Sequence, residues 1–125
     1  NECMDAIINK LNYSIRKKEF RFIEGIKEIS LERLLYVESN LHKLAFYVME
    51  DDMKIYTMYG TLNTLESELA ENNFIRIHQS YLANIKHIKN VVRYKAVLIS
   101  GIELAISKVR YTYVKKQFIA YQGEV

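Results

Sequence analysis

Hydrophobic and polar residues recur with two different periods along this chain, and the change of period divides it into elements. Residues 1–18 place apolar side chains three and four positions apart, which predicts one stripe of an amphipathic helix. From Phe20 onward the period shortens to two, which is typical of strands. We therefore predict a linker helix over residues 1–19 and a separate domain over residues 20–125.

Short β-prone runs with turn residues between them fill the first half of the domain. The last three of these runs predict a meander, in which the connection from Asn40 to Lys43 is suited to a hairpin. The runs are FRF and GIKEIS around a turn at Glu24-Gly25, then LLYVES (34–39), LAFYVM (44–49) and MKIYTMYG (53–60).

Helical spacing returns in TLNTLESELAENN (61–73), where Thr61 is a suitable N-cap. Leu62, Leu65 and Leu69 would line the buried face of this helix, and Glu66 and Glu68 would face water. Strand patterns resume after residue 73 in FIRI, IKHI, VVRY, AVLIS and ELAIS. A final helix is predicted from its apolar stripe, which is Tyr111, Val114, Phe118 and Tyr121. The pattern as a whole predicts a mainly β fold with short helices.

Charge divides the chain unevenly. Residues 75–116 contain nine lysines and arginines and the single acid Glu103, a local balance of +8, whereas the whole chain carries +3. A basic half joined to an acidic half favours a polyanionic partner, nucleic acid first and an anionic membrane second. An ordinary solvated face remains the alternative.

Motifs of catalysis and of cofactor binding are missing from the sequence. The four glycines form no phosphate-binding loop, and the three histidines have neither metal-ligand spacing nor nearby acidic partners in the basic half. One cysteine, Cys3, cannot form an internal disulfide, which favours a reducing compartment. No apolar run reaches the roughly 18 residues of a membrane span. We therefore expect a cytoplasmic protein that is not an enzyme and needs no cofactor or metal.

The segment FIRIHQSYLANIKHI (74–88) combines a core-building alternation with a row of hydrogen-bonding side chains. Arginine, lysine and glutamine are side chains that reach base edges in the major groove. No pair of short helices around a glycine turn occurs in the basic region, so the cations belong to strands and loops. The tyrosines are most simply explained as packing residues, and a stacking platform for single-stranded nucleic acid is the alternative.

Four separated motifs occur in an order that resembles the LytTR-type DNA-binding domain of bacterial response regulators. They are the YVES strand, the TLxxLExxL helix, the FxRxHxS segment and the SKxR segment, and the resemblance covers about residues 20–122. It implies an elongated arrangement of small antiparallel sheets whose loops enter major grooves. It also implies double-stranded DNA with repeated sites, a second copy of the domain on the DNA, and a receiver domain upstream of the linker helix.

The resemblance also assigns roles to residues of this sequence. It implies base readers in three loops: His42 with Lys43, then Gln79, then Lys108 with Arg110. Ser80, Asn84, Lys86 and Ser107 would support these loops or touch phosphates. Arg76 and His78 alternate with apolar residues, so each either contacts DNA or braces the turn from inside. Many relatives have proline and arginine where Ala105 and Lys108 stand, and lysine lacks the planar fork of arginine.

A function of a different class remains an alternative hypothesis. The basic face would also suit a cytosolic regulatory or dimerisation module that binds an acidic protein or an anionic membrane. Binding to duplex DNA that depends on sequence and salt would separate the two functions.

Overall fold

The computed structural model describes residues 17–70 and 72–123. This part of the chain contains ten strands, two α-helices and one 3-10 turn. In chain order they are β1 (Lys17–Phe22), β2 (Gly25–Ser30), β3 (Leu34–Asn40), β4 (Lys43–Met49), β5 (Met53–Tyr59), α1 (Leu62–Glu68), β6 (Phe74–His78), β7 (Tyr81–Asn84), the 3-10 turn (Ile85–His87), β8 (Ile88–Val92), β9 (Lys95–Leu98), β10 (Glu103–Ala105) and α2 (Lys108–Gly123).

The strands form antiparallel sheets of two, five and three strands within the described residues, in the orders β1-β2, β5-β4-β3-β7-β6 and β10-β9-β8. The predicted meander is confirmed, because β3 pairs with β4 and β4 with β5. The later pair β6-β7 then adds to the free edge of β3. The expected mainly β fold of small antiparallel sheets is confirmed.

Both faces of the five-stranded sheet are covered, and two hydrophobic cores result. The β1-β2 hairpin and α1 pack on one face, around Phe46 and Leu82. The three-stranded sheet and α2 pack on the other, around Ile77 and Val114. A strand buried on both faces has a continuous apolar run instead of an alternating one. The four consecutive buried residues at the start of β3, LLYV, follow this rule, and a register shift accompanies them.

Both predicted helices are present, α1 has the predicted N-cap, and each apolar stripe includes buried residues. Thr61 precedes α1 in extended conformation, and its side chain accepts a hydrogen bond from the Thr64 amide. Leu62 and Leu65 of α1 are buried, as are Val114 and Phe118 of α2. The expectation that Glu66 faces water is wrong in one respect, because its carboxylate is 2.9 Å from the Arg76 guanidinium.

Three boundaries differ from prediction. The predicted linker helix lies mostly outside the described residues, but its last part, from Lys17, belongs to β1 and pairs with β2. The IKHI segment forms the 3-10 turn and only then enters β8, because the Asn84 side chain accepts a hydrogen bond from the Lys86 amide and bends the chain. The VVRY run ends in a tight turn at residues 93–94.

The tyrosines mainly take part in packing. Tyr36 and Tyr47 stack with ring centroids 4.3 Å apart and an interplanar angle of 10°. Tyr56 stacks on Phe22, and Tyr94 contacts Tyr111. These rings already have ring partners within the chain, whereas Tyr59 and Tyr113 remain exposed.

Candidate nucleic-acid interface

The β3-β4 hairpin brings the first predicted reading loop to one end of the central sheet. Its turn consists of residues 41–42, and Asn40 pairs with Lys43 at its base. The His42 carbonyl accepts a 2.9 Å hydrogen bond from the Gly60 amide, which ties the turn to the end of β5. The His42 side chain is exposed, and the Lys43 ammonium lies 5.7 Å from the ring centroid of Tyr59.

The second loop, the β6-β7 turn, is clamped from behind by Arg76. Its Nε donates to the His78 carbonyl at 2.8 Å, and its terminal nitrogens donate to the Gln79 carbonyl at 2.8 Å and to the side chains of Asn63 and Glu66 at 2.9 Å. The Arg76 side chain is only 10% exposed. Because four of its five N–H groups are used within the chain, Arg76 braces the turn.

His78 and Gln79 occupy different environments in this same turn. The Nδ1 atom of His78 accepts a 3.0 Å hydrogen bond from the Ser80 amide, and its ring contacts Tyr81. His78 therefore closes the turn from inside. The Gln79 side chain is exposed and makes no hydrogen bond to the described residues. The turn thus presents one amide outward while its neighbours fix the backbone.

The third loop connects β10 to α2. The Ser107 amide donates to the Ile77 carbonyl at 3.0 Å, and the Ser107 carbonyl accepts from the Arg110 amide at 3.1 Å. The hydroxyl of Ser107 is buried and has no hydrogen-bond partner among the described residues. Lys108 is exposed, whereas Arg110 is half-buried in a groove of about 350 Å³ that Arg76 also lines.

Two backbone hydrogen bonds join the three loops into one surface. The Ser39 amide, next to the β3-β4 hairpin, donates to the Ser80 carbonyl at 2.8 Å. The bond from Ser107 to Ile77 connects the start of α2 to the end of β6. We call this surface the loop edge, and it consists of residues 41–43, 78–80 and 106–110, together with the tip described next.

A fourth element, the β8-β9 tip at residues 93–94, also reaches the loop edge. The Tyr94 carbonyl accepts a 2.8 Å hydrogen bond from the Ile106 amide, one residue before Ser107. Arg93 and Tyr94 have φ angles of 54° and 62°, the positive values that a two-residue hairpin turn requires. The sequence does not predict this turn, because it contains no glycine or asparagine at these positions. Arg93 is exposed and was not among the predicted site residues.

The family model of the LytTr DNA-binding domain matches residues 24–119. This chain belongs to the LytTr DNA-binding domain family. The resemblance found in the sequence is therefore confirmed, and the family is one of DNA-binding domains and not of enzymes.

Similar proteins are bacterial regulators of greater length. The sensory transduction protein LytT of Bacillus cereus is 29% identical over 98 residues, which cover 74% of this chain and 37% of that protein. The transcriptional regulatory protein LytR of Staphylococcus aureus is 38% identical over 58 residues, which cover 42% of this chain and 24% of that protein. The chain thus spans less than half the length of these relatives.

The fold of the LytTr domain agrees with a solved structure. The LytTr DNA-binding domain of a methyl-accepting/DNA response regulator from Bacillus cereus superposes with a TM-score of 0.68. The match has 21% sequence identity and covers 81% of this chain and 94% of that domain. At this identity the similarity establishes the fold.

Two predicted site residues lie at the opposite end of the LytTr domain. Asn84 is 2% exposed, and its Nδ2 donates to the carbonyls of Leu31 and Leu34 at 3.1 and 3.0 Å. The Lys86 ammonium is 3.2 Å from the Glu32 carboxylate. Asn84 is four residues along β7 from Ser80, roughly 13 Å at the usual rise of a strand. Asn84 thus holds the backbone of the β2-β3 turn, and Lys86 forms an ion pair beside it.

We call this opposite end the distal end, and it consists of residues 31–33, 50–52 and 84–87. The Met49 amide donates to the Arg33 carbonyl at 2.9 Å, which brings the β4-β5 turn beside the β2-β3 turn. Three acids, Glu50, Asp51 and Asp52, follow Met49 in that turn. The distal end therefore contains these three acids and Glu32, together with the cations Arg33 and Lys86.

A tyrosine cluster lies behind the β3-β4 hairpin. The Tyr47 hydroxyl donates to the Glu38 carboxylate at 3.1 Å, and Tyr36 contacts both Tyr47 and Tyr81. Burial raises the pKa of Tyr36, Tyr47 and Tyr81, and the negative charge of Glu38 raises each of them further. The three hydroxyls therefore stay protonated at neutral pH, so they add no negative charge behind the hairpin.

No group of His, Cys, Asp or Glu side chains in residues 17–70 and 72–123 is arranged to hold a metal ion. Neither helix of this part of the LytTr domain is long and apolar enough to cross a membrane.

Proposed function

We propose that this LytTr domain binds double-stranded DNA in a sequence-specific manner, with its loop edge in the major groove. It acts as the output domain of a bacterial two-component transcriptional regulator in the cytoplasm. In the intact regulator a receiver domain precedes it, and two copies occupy repeated sites on the DNA.

One observation carries the sequence-specific part of this proposal: the exposed amide of Gln79 stands on a braced turn. Arg76 holds two carbonyls of the turn, and His78 holds the Ser80 amide. A glutamine amide can pair with both N6 and N7 of adenine. Because the backbone of the turn is already fixed, only the side-chain freedom of Gln79 is lost when that amide meets a base.

Cations around Gln79 support binding to the phosphates. Lys43, Arg93 and Lys108 are exposed, and none of them has a carboxylate within ion-pair distance among the described residues. Lys108 also stands in the first turn of α2, where a positive charge opposes the helix dipole. A cation placed there against the dipole is explained if it serves an anionic partner, and the helix N-terminus attracts the same partner.

The spacing of the turns suits the groove. The β3-β4 and β6-β7 turns are two strand positions apart in the sheet, roughly 10 Å at the usual strand spacing. A B-DNA major groove is about 12 Å wide. The two turns, with His42 and Gln79, can therefore enter the same major groove.

The regulatory context is supported by the similar proteins. Their names describe sensory transduction and transcriptional regulation, and this chain covers only part of their length. The remaining length accommodates an upstream receiver domain, which the predicted linker helix would join to this domain.

Fluorescence anisotropy tests the proposal. Labelled duplexes selected by the domain from a randomised library are titrated with one repeat or two, at 50 to 300 mM salt. We expect two-repeat duplexes to bind more tightly than single repeats and the affinity to fall steeply with salt, because phosphate contacts release counterions. A chain that selects no sequence, or binds anionic vesicles and duplexes alike, is not a sequence-specific DNA-binding domain.

A residue-level test uses Gln79→Ala. If Gln79 reads a base edge, the preference for the selected site over one mutated at that base falls by about 1–3 kcal/mol, roughly 5- to 150-fold. Gln122→Ala is the matched control, since this exposed glutamine stands near the far end of α2, about 20 Å from its start. An equal preference in Gln79→Ala and wild type would remove Gln79 from the base readers.

A further inference from the structure

Two apolar side chains are far more exposed than any other large apolar residue in the described chain. Leu41 is 89% exposed and Val109 is 91% exposed, and the next in order, Tyr59 and Ile99, are 66% and 65% exposed. An apolar side chain gains nothing from such exposure. Single exposed apolar residues are common on proteins, so their position decides whether they have a role.

Both residues stand at the loop edge. Leu41 forms the tip of the β3-β4 hairpin beside His42. Val109 lies in the first turn of α2 between Lys108 and Arg110. Each is therefore next to residues that we assign to DNA.

The backbone at Leu41 adds an independent indication. Its φ angle is 60°, in the left-handed region where a Cβ atom crowds the following carbonyl. Glycine or asparagine would relieve this strain. A leucine here lowers stability through its strained backbone and through the exposure of its apolar side chain. That side chain belongs to neither hydrophobic core of the described chain. Such outliers cluster where a residue serves a ligand.

The chemistry of the major groove supplies an apolar ligand. Of the four bases only thymine presents a methyl group there, and apolar side chains recognise it by contact. We propose that Leu41 and Val109 contact thymine C5-methyl groups, so that the domain distinguishes thymine from cytosine and from uracil at these positions. This inference rests on the proposed function and names two further specificity-determining residues for it.

Replacing thymine with deoxyuridine tests the proposal, because this change removes only the methyl group. The probes are the duplexes that the wild-type chain selects from the randomised library, each carrying deoxyuridine at one former thymine. At each contacted thymine we expect affinity to fall about fourfold, the effect of exposing one buried methyl. If no thymine position responds in wild type, the proposal is overturned without recourse to any variant.

The variants assign each methyl to a side chain. Leu41→Ala should lose the deoxyuridine effect at one set of thymines, and Val109→Ala at another set. Ile99→Ala is the matched control: Ile99 is also exposed, but its amide donates to the His87 carbonyl at the distal end. It should retain the wild-type profile. Leu41→Asn should lose the same positions as Leu41→Ala while raising the melting temperature, since asparagine tolerates the positive φ angle.

Other outcomes point elsewhere. Identical deoxyuridine profiles in wild type, Leu41→Ala and Val109→Ala would overturn the assignment to these residues while leaving DNA recognition intact. Sedimentation without DNA that showed self-association in wild type and its loss in both variants would assign the side chains to a second copy of the chain instead. If the library yields no enriched sequence, the proposed function itself fails.

Discussion

At both ends of the central sheet a polar side chain donates hydrogen bonds to backbone carbonyls of a neighbouring turn, but the two ends differ in what they expose. At the loop edge, Arg76 donates to two carbonyls of the β6-β7 turn, and at the distal end Asn84 donates to the carbonyls of Leu31 and Leu34. The loop edge, however, also presents the exposed side-chain amide of Gln79, whereas the distal end has no exposed glutamine among its described residues. Side chain to backbone hydrogen bonds therefore do not mark a functional site by themselves.

Charge pairing differs between individual cations at the two ends. Lys86 at the distal end lies 3.2 Å from Glu32. Arg93 and Lys108 at the loop edge have no carboxylate within ion-pair distance in the described chain. An exposed cation without an internal partner can bind a phosphate directly. A cation in an ion pair must first separate from its carboxylate, which weakens its net interaction with the phosphate. Arg33 at the distal end is likewise exposed and without an ion pair in the described chain, so pairing by itself does not locate an interface.

Replacing Asn84 should produce the largest effect, and it should be confined to stability. Asn84→Ala leaves two buried carbonyls and the Lys86 amide without their partner, and we expect the free energy of unfolding to fall by about 3 kcal/mol. Denaturant titration measures this loss, and Asn90→Ala, at a more exposed asparagine, should cost less than half as much. The folded fraction of Asn84→Ala should retain the wild-type preference among duplexes. A lost preference would mean that the two ends are coupled.

Replacing Arg76 should affect both stability and recognition. Arg76→Lys keeps the charge near Glu66 but loses the fork that holds the His78 and Gln79 carbonyls, so we expect a loss of about 2 kcal/mol in the free energy of unfolding. The preference for the selected duplex should fall as well, because Gln79 is no longer held. Anisotropy at a temperature where the variant is folded checks this. Unchanged preference would show that the clamp supports only the fold.

The smallest effects should come from single surface cations. Arg93→Ala should weaken binding to all duplexes about equally and reduce the slope of log affinity against log salt by about one. Lys86→Ala is the matched comparison, and it should leave both affinity and slope near wild type, because Lys86 is at the distal end. The comparison of the ends fails if Lys86→Ala reduces the slope as much as Arg93→Ala does.

Prediction from sequence succeeded where neighbours along the chain set the structure. The β3-β4-β5 meander and the two amphipathic helices depend on turns and on periodicity within a few residues, and all are present. The 3-10 turn of the IKHI segment was not predicted. It depends on the Asn84 side chain, which accepts from the Lys86 amide while carbonyls 50 and 53 residues away hold it in place. The turn at the β8-β9 tip was not predicted because Arg93 and Tyr94 adopt positive φ angles, which their residue types do not indicate.

The sequence by itself determined the family, the mainly β class and the choice of Gln79 as first candidate reader, since ordered motifs and local alternation contain that information. Only the tertiary structure decided which residues share a surface. It places Arg93, Leu41 and Val109 at the loop edge and Asn84 and Lys86 at the distal end. The physical reason is that backbone hydrogen bonds such as Ser39 to Ser80 and Ser107 to Ile77 join residues distant in sequence, and strand register, which local periodicity does not specify, fixes those bonds.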